Sequence, residues 1–170
     1  MFPHLARSPA RAFGFAAVAA VMALAASPTL AQRGGSGPFE NLEGSWSGNG
    51  TIRMSSGTSE RIRCRATYAV PEGGNSMQQD LRCASDSYRF DLRSDITSQG
   101  GAISGRFLET SRNVGGNLSG RAGVGTIQAR AEGAGFSASL AVSTKGNQQS
   151  VTITAPGADV QEVSITMRKG

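Results

Sequence analysis

The stretch RIRCRATYAVPEGGNSMQQDLRC, residues 61–83, holds the only two cysteines of the chain, Cys64 and Cys83, at nearly equal distances from the pair Gly73-Gly74. Before that pair, Ile62, Cys64, Ala66, Tyr68 and Val70 alternate with Arg61, Arg63, Arg65 and Thr67; after it, Met77, Gln79, Leu81 and Cys83 share one parity. Alternation with a period of two marks a half-buried strand. A two-residue turn at Gly73-Gly74, where both residues accept positive φ, pairs Val70 with Met77, Tyr68 with Gln79, Ala66 with Leu81 and Cys64 with Cys83. The cysteines then face each other on the apolar side of a hairpin, within disulfide reach. In an exported protein such a pair is expected to be oxidised, a cross-strand staple contributing roughly 3 kcal/mol. A redox role would call for Cys-x-x-Cys spacing, which this pair lacks.

The same parity test extends along the chain. Ser85-Asp86 as a turn pairs Cys83 with Tyr88 and Leu81 with Phe90, and Gly100-Gly101 pairs Ser94 with Phe107. Ser111-Arg112 pairs Phe107 with Gly116, Gly133-Ala134 pairs Ala129 with Ala138, and Gly146-Asn147 pairs Leu140 with Ile153. Each choice keeps apolar residues on one face and puts turn-forming residues at the tip. The expectation is about ten short sequential strands between Trp46 and Met167, all-β. A single antiparallel up-and-down meander barrel would bury the apolar face and remove free edges; a two-sheet β-sandwich is the alternative. An outer-membrane barrel fits poorly, because Gln79 and Glu109 sit on the apolar face, the loops are short at both ends and aromatic girdles are missing.

Gly44-Ser45-Trp46, opening the first strand of such a meander, resembles the start of the lipocalin-like (calycin) barrels. That resemblance implies a small exported β-barrel with a ligand space inside. The runs ERIRCRATY, LRCASDSYRFDL and ISGRF also resemble small exported proteins of proteobacteria, a likeness that implies no chemistry.

Residues 1–31 read as a secretory signal: Arg7 and Arg11, the apolar run AFGFAAVAAVMALAA, then Ser27-Pro28-Thr29-Leu30-Ala31, with cleavage expected after Ala31. The apolar run is shorter than the ~20 residues that span a bilayer, so a soluble product in the periplasm or outside the cell is expected. Residues 32–43, rich in Gly and polar groups, read as a flexible leader, and residues 44–169 as the barrel domain. The whole chain carries a net charge of +5, with one histidine. That histidine is His4, so the exported part has none, which removes Ser-His-Asp, Cys-His and His-ligated zinc chemistry. No cofactor and no metal site is expected; Asp80, Asp86, Asp91 and Asp95 lack calcium-loop spacing.

Two surfaces remain for a function. Inside, the expected lining includes Trp46, Tyr68, Gln79, Phe90, Phe107 and Glu109, with Gly and Ala between them that either let strands coil tightly or leave room for a small apolar or amphipathic ligand. Tyr68, Gln79, Leu92, Glu109 and Val114 are expected in one inward row. Outside, the registers line up Arg65, Arg82, Arg89 and Arg112 across four strands, with Arg63 close by, and pair Asp95 with Arg106. Arginine forks bind oxyanions in a bidentate manner, so this face is a candidate for an anionic envelope component. Nucleic acid is not an expected partner, since no exposed aromatics interleave with the arginines. No acid–base pair or activated nucleophile is evident, so no enzyme is expected; Glu109 and Tyr68 would be its only participants. Oligomeric state is not legible in this pattern.

Overall fold

The computed structural model describes residues 36–170. The expected signal, residues 1–31, lies outside them. A 3₁₀ turn at Glu40–Leu42 leads into ten strands: β1 (Gly44–Met54), β2 (Ser59–Ala69), β3 (Ser76–Ala84), β4 (Arg89–Gln99), β5 (Ala102–Glu109), β6 (Val114–Gly123), β7 (Thr126–Gly133), β8 (Phe136–Lys145), β9 (Gln148–Thr154) and β10 (Val160–Lys169). Each pairs antiparallel with its neighbour in sequence, and β10 pairs with β1, so the sheet closes into an up-and-down barrel. Closure gives every strand two partners, which a two-sheet sandwich would not.

Burial follows the alternation. In β2, Ile62, Cys64, Ala66 and Tyr68 are buried while Arg61, Arg63, Arg65 and Thr67 are exposed. Because the apolar face points inward and the charged face outward, the barrel is arranged oppositely to one that meets lipid. Cys64 and Cys83 face each other across β2 and β3 and form a disulfide with Cα atoms 4.1 Å apart.

The registers through Gly73-Gly74, Gly100-Gly101, Ser111-Arg112 and Gly146-Asn147 are those read from the sequence. Two hairpins differ, each by two residues. Cys83 faces Phe90 rather than Tyr88, and Leu81 faces Leu92. The reason is local: the Ser85 amide donates to the Tyr88 carbonyl, and the Tyr88 amide donates back to Ser85 Oγ, which moves the tip to Asp86-Ser87. Glu60 of β2 holds that tip by accepting from both the amide and the hydroxyl of Ser87. Likewise Ala129 faces Leu140 and Ala131 faces Ala138, because the tip is Ala134-Gly135 and Gly135 takes the left-handed position at φ 71°.

The boundary at residue 44 also moves. Phe39 and Leu42, within the segment expected as a flexible leader, are 0% and 3% exposed. The amides of Gly37 and Phe39 donate to the carbonyls of Gly73 and Gly74, docking this segment on the β2–β3 loop. It lies over the barrel end where β1 begins, and the Trp46 indole donates to the Leu42 carbonyl at 2.7 Å. Two apolar side chains in a Gly-rich polar run suffice to seal an end that would otherwise expose the core.

Candidate ligand cavity

The small inward residues divide by role. A Cβ on Gly48 would lie 1.9 Å from the Thr166 carbonyl oxygen of β10, so that position is glycine because the two strands coil too closely for anything larger. The alanines instead leave space. Ala129, Ala131 and Ala138 line a cavity of about 390 Å³ inside the barrel. Its walls are apolar: Phe90, Leu92, Phe107, Phe136, Leu140 and Val142 face one another across it.

The floor of the cavity is polar and internally hydrogen-bonded, with a second amide hydrogen left on each of Gln79 and Gln149. Ser94 Oγ donates to Gln79 Oε1 at 2.9 Å, and Gln79 Nε2 donates to the Tyr68 hydroxyl at 3.5 Å. Tyr68 reaches across the lumen to donate to Gln149 Oε1 at 2.9 Å, and Gln149 Nε2 donates to Thr144 Oγ1 at 3.2 Å. The first three residues are neighbours along the register of β4, β3 and β2; the last two sit on β9 and β8. Burial pushes the Tyr68 phenol up to about 12, with the bonds to Gln149 and Gln79 offsetting part of the shift. Tyr68 is therefore a neutral donor at any physiological pH. Trp46 lies behind this floor, meeting the Tyr68 ring edge-on at 6.5 Å, and is packed against the sealed end rather than lining the cavity.

The opposite end is the mouth. Tyr88, Phe90, Leu92, Phe136, Val160 and Val163 are only partly buried there. Arg112 lies over the Tyr88 ring at 4.4 Å, 3.7 Å from the Glu109 carboxylate, and donates to the Arg89 carbonyl. Glu109 does not join the Tyr68 row: with the β3–β4 register moved, Gln79 faces Ser94, and Glu109 faces Leu92 and Val114 instead. Its oxygens accept from the amides of Asp91, Ser111 and Arg112, fastening the β5–β6 turn. Burial opposes its ionisation, but these hydrogen bonds prevail and hold the carboxyl below its ordinary range. Asp159 and Glu162 complete the rim, the latter bonded to Arg53 at 2.5 Å.

Tyr68, Gln79, Phe90, Phe107 and Glu109 thus line one cavity, as their parity implied, and Gln149, Ser94, Tyr88 and Arg112 join them. Gln149 was legible: the Gly146-Asn147 turn places it opposite Thr144 at an inward position. Arg112, expected on the outer face, sits in the β5–β6 loop and turns over the mouth because Tyr88 and Glu109 receive it there.

The outer row is also rearranged. Arg65 and Arg82 remain opposite each other, but Arg82 now faces Asp91, and Arg89 faces Ala84 in the row of Arg63. Asp95 stands opposite Arg106 as expected.

Among solved structures, the chain is similar to the S-type phycobiliprotein lyase CPES from Guillardia theta, with a TM-score of 0.54 at 12% identity over 78% of this chain and 90% of that one. The likeness is one of fold alone, and it agrees with the β-barrel expected from the strand pattern. No family model and no curated protein matches the sequence, so the likeness to exported proteins of proteobacteria gains no support. The disulfide belongs to an oxidising compartment, in keeping with export. Among the described residues no helix is long and apolar enough to cross a membrane.

Proposed function

We propose that this protein binds a small apolar or amphipathic molecule inside its barrel and releases it unchanged. The observation that carries the proposal is the apolar cavity of about 390 Å³, covered by the buried Phe39 and Leu42 at one end and bordered by partly buried residues at the other. That size lies within the range of small-molecule sites, roughly 300–1,000 Å³. Apolar walls that meet water through an open mouth gain by burying against an apolar ligand.

The polar groups set its orientation. The floor offers neutral donors and acceptors from Gln79, Gln149 and Ser94, whereas charge is confined to the mouth at Glu109, Arg112, Asp159 and Glu162. The ligand's apolar body fills the lumen, any buried polar atom is uncharged, and a charged head stays at the rim, where solvent and the rim groups meet it. Binding without turnover is favoured because Tyr68 is held far above neutrality and Glu109 below its usual range, so neither is poised to exchange protons near pH 7. Export to the periplasm or beyond belongs to the same proposal, supported by the disulfide.

Titration with N-phenyl-1-naphthylamine, an uncharged probe that brightens in apolar surroundings, tests it. The wild-type protein should bind the probe saturably near one equivalent, and Leu140→Trp, which fills the lumen, should abolish binding while keeping cooperative unfolding. Equal binding by the two proteins, or no saturable binding by the wild type, would rule out an interior site.

A further inference from the structure

The outer wall carries a second site that the cavity does not use. Arg63 and Arg65 of β2, Arg82 of β3, Arg89 of β4 and Arg168 of β10 border a trough of about 750 Å³. Its floor is built of short side chains, with the polar Ser47 and Asn49 of β1 and Thr166 of β10 beside Gly48 of β1 and Ala84 of β3. Two adjacent rows build it. In the first, Arg168 faces Ser47, Ser47 faces Arg65, Arg65 faces Arg82 and Arg82 faces Asp91. In the second, Thr166 faces Asn49, then Arg63, Ala84 and Arg89 follow in turn.

Charge in this trough is only partly compensated: Asp91 lines it opposite Arg82 and is its one carboxylate against five arginines. Among the described residues the ion pairs involve Arg53, Arg93, Arg112 and Arg130, and none of the five trough arginines takes part in one. Arg65 and Arg82 stand directly opposite each other, an arrangement that destabilises a sheet. The disulfide lies beneath them, since Cys64 separates Arg63 from Arg65 and Cys83 adjoins Arg82, and it holds the two strands together against that repulsion.

We propose that this trough binds an acidic oligosaccharide, a chain of hydroxylated units bearing carboxylate, sulfate or phosphate groups. Five strands at a spacing of about 4.8 Å span roughly 19 Å, which suits a chain of several units better than a single small anion. The arginine forks receive the oxyanions, and Ser47, Asn49 and Thr166 between them offer neutral hydrogen bonds to hydroxyl groups. No aromatic or large aliphatic side chain lines the trough, so it offers nothing for nucleobases to stack on and no apolar surface to enter lipid.

The test uses the whole exported protein and four probes: a heparin hexasaccharide, inorganic phosphate, single-stranded DNA and vesicles containing anionic phospholipid. The hexasaccharide should bind in a salt-dependent manner, more tightly than the other three. Arg65→Glu puts a carboxylate opposite Arg82; it should weaken hexasaccharide binding at least tenfold while leaving the melting temperature equal or higher. Arg82→Ser should flatten the dependence of log affinity on log salt by about one. Arg121→Ser, on β6 outside the trough, should change neither beyond twofold. Leu140→Trp should not affect this binding, which separates it from the cavity. The proposal is overturned by undiminished binding in Arg65→Glu, by an equal loss in Arg121→Ser, or by no hexasaccharide binding. Equal affinity for DNA, vesicles or phosphate also overturns the assignment to a saccharide.

Discussion

The two ends of the barrel are made from the same alternating strands and yet enclose different interiors. Where β1 begins, Phe39, Leu42, Trp46, Met77, Ile103 and Met167 are each at most 4% exposed. Where β1 ends, Phe90, Leu92, Phe136, Leu140, Ile153 and Val163 are only partly buried around open space. The difference lies in what crosses each end. One is sealed by a segment carrying Phe39 and Leu42, with a hydrogen-bonded floor at Tyr68 behind it. The other has hairpin loops alone, and the side chains turned over it are those of Arg112 and Glu109. Strand alternation puts apolar residues inside everywhere; the cap adds cover at one end, while toward the other Ile52 and Ile62 are buried by their strand neighbours and Phe90, Leu92, Phe136 and Val163 are left only partly buried. Stability should therefore be concentrated at the sealed end and ligand binding at the open one.

Substitutions can break that contrast. The largest effect is expected from Trp46→Ala, which empties the space beneath the cap and orphans the Leu42 carbonyl; urea denaturation should show a loss of about 4 kcal/mol. Replacing Cys64 and Cys83 together by serine should cost roughly 3 kcal/mol by the same measurement, since it frees a loop with a sequence separation of 19. Tyr68→Phe takes away the central link of the floor, leaving Gln149 Oε1 and the Gln79 amide without their partner. A loss of about 2 kcal/mol is expected, with no change in the oligosaccharide site.

At the mouth the effects should be smaller. Glu109→Gln weakens the bonds from three turn amides and should cost about 1.5 kcal/mol at neutral pH. The folded carboxyl is depressed, so its stabilisation is present above the unfolded value of roughly 4.3 and is lost as pH falls through the lower folded value. Wild type and Glu109→Gln should therefore converge in urea midpoint on acidification below about pH 4.3, and parallel curves across that range would contradict the depressed carboxyl. Arg112→Ala, at an exposed side chain, should shift stability by no more than about 0.5 kcal/mol. A loss at Arg112 comparable to that at Trp46 would erase the distinction between the ends.

Much of this architecture was legible because some residues specify register unambiguously. Cys64 and Cys83 admit one pairing, and the Gly100-Gly101 and Gly146-Asn147 tips each sit where the observed hairpins turn. Hairpins at Ser85-Asp86 and Gly133-Ala134 were misplaced by two residues for a physical reason: a shift of two preserves which face each side chain occupies, so alternation is blind to it. The decision was made by turn chemistry, through Ser85 bonding to Tyr88 in one case and a left-handed Gly135 in the other. Those small shifts had large consequences for the sites. They moved Glu109 out of the Tyr68 row and put Asp91 opposite Arg82, while barrel closure through β1 and β10, which hairpin parity does not address, brought Arg168 to the arginine trough. Phe39 and Leu42 were missed because no strand period extends into their segment; their role appears only once the barrel end that they cover exists.

Ligand binding requires first of all that the cavity hold a molecule. Native mass spectra of the protein purified from its native host, taken before and after mild denaturation, test this with no assumption about ligand identity. A discrete mass excess that disappears on unfolding, and that is absent from Leu140→Trp, is the predicted result. Identical masses before and after unfolding, combined with no uptake of N-phenyl-1-naphthylamine by the emptied protein, would contradict a ligand-binding interior.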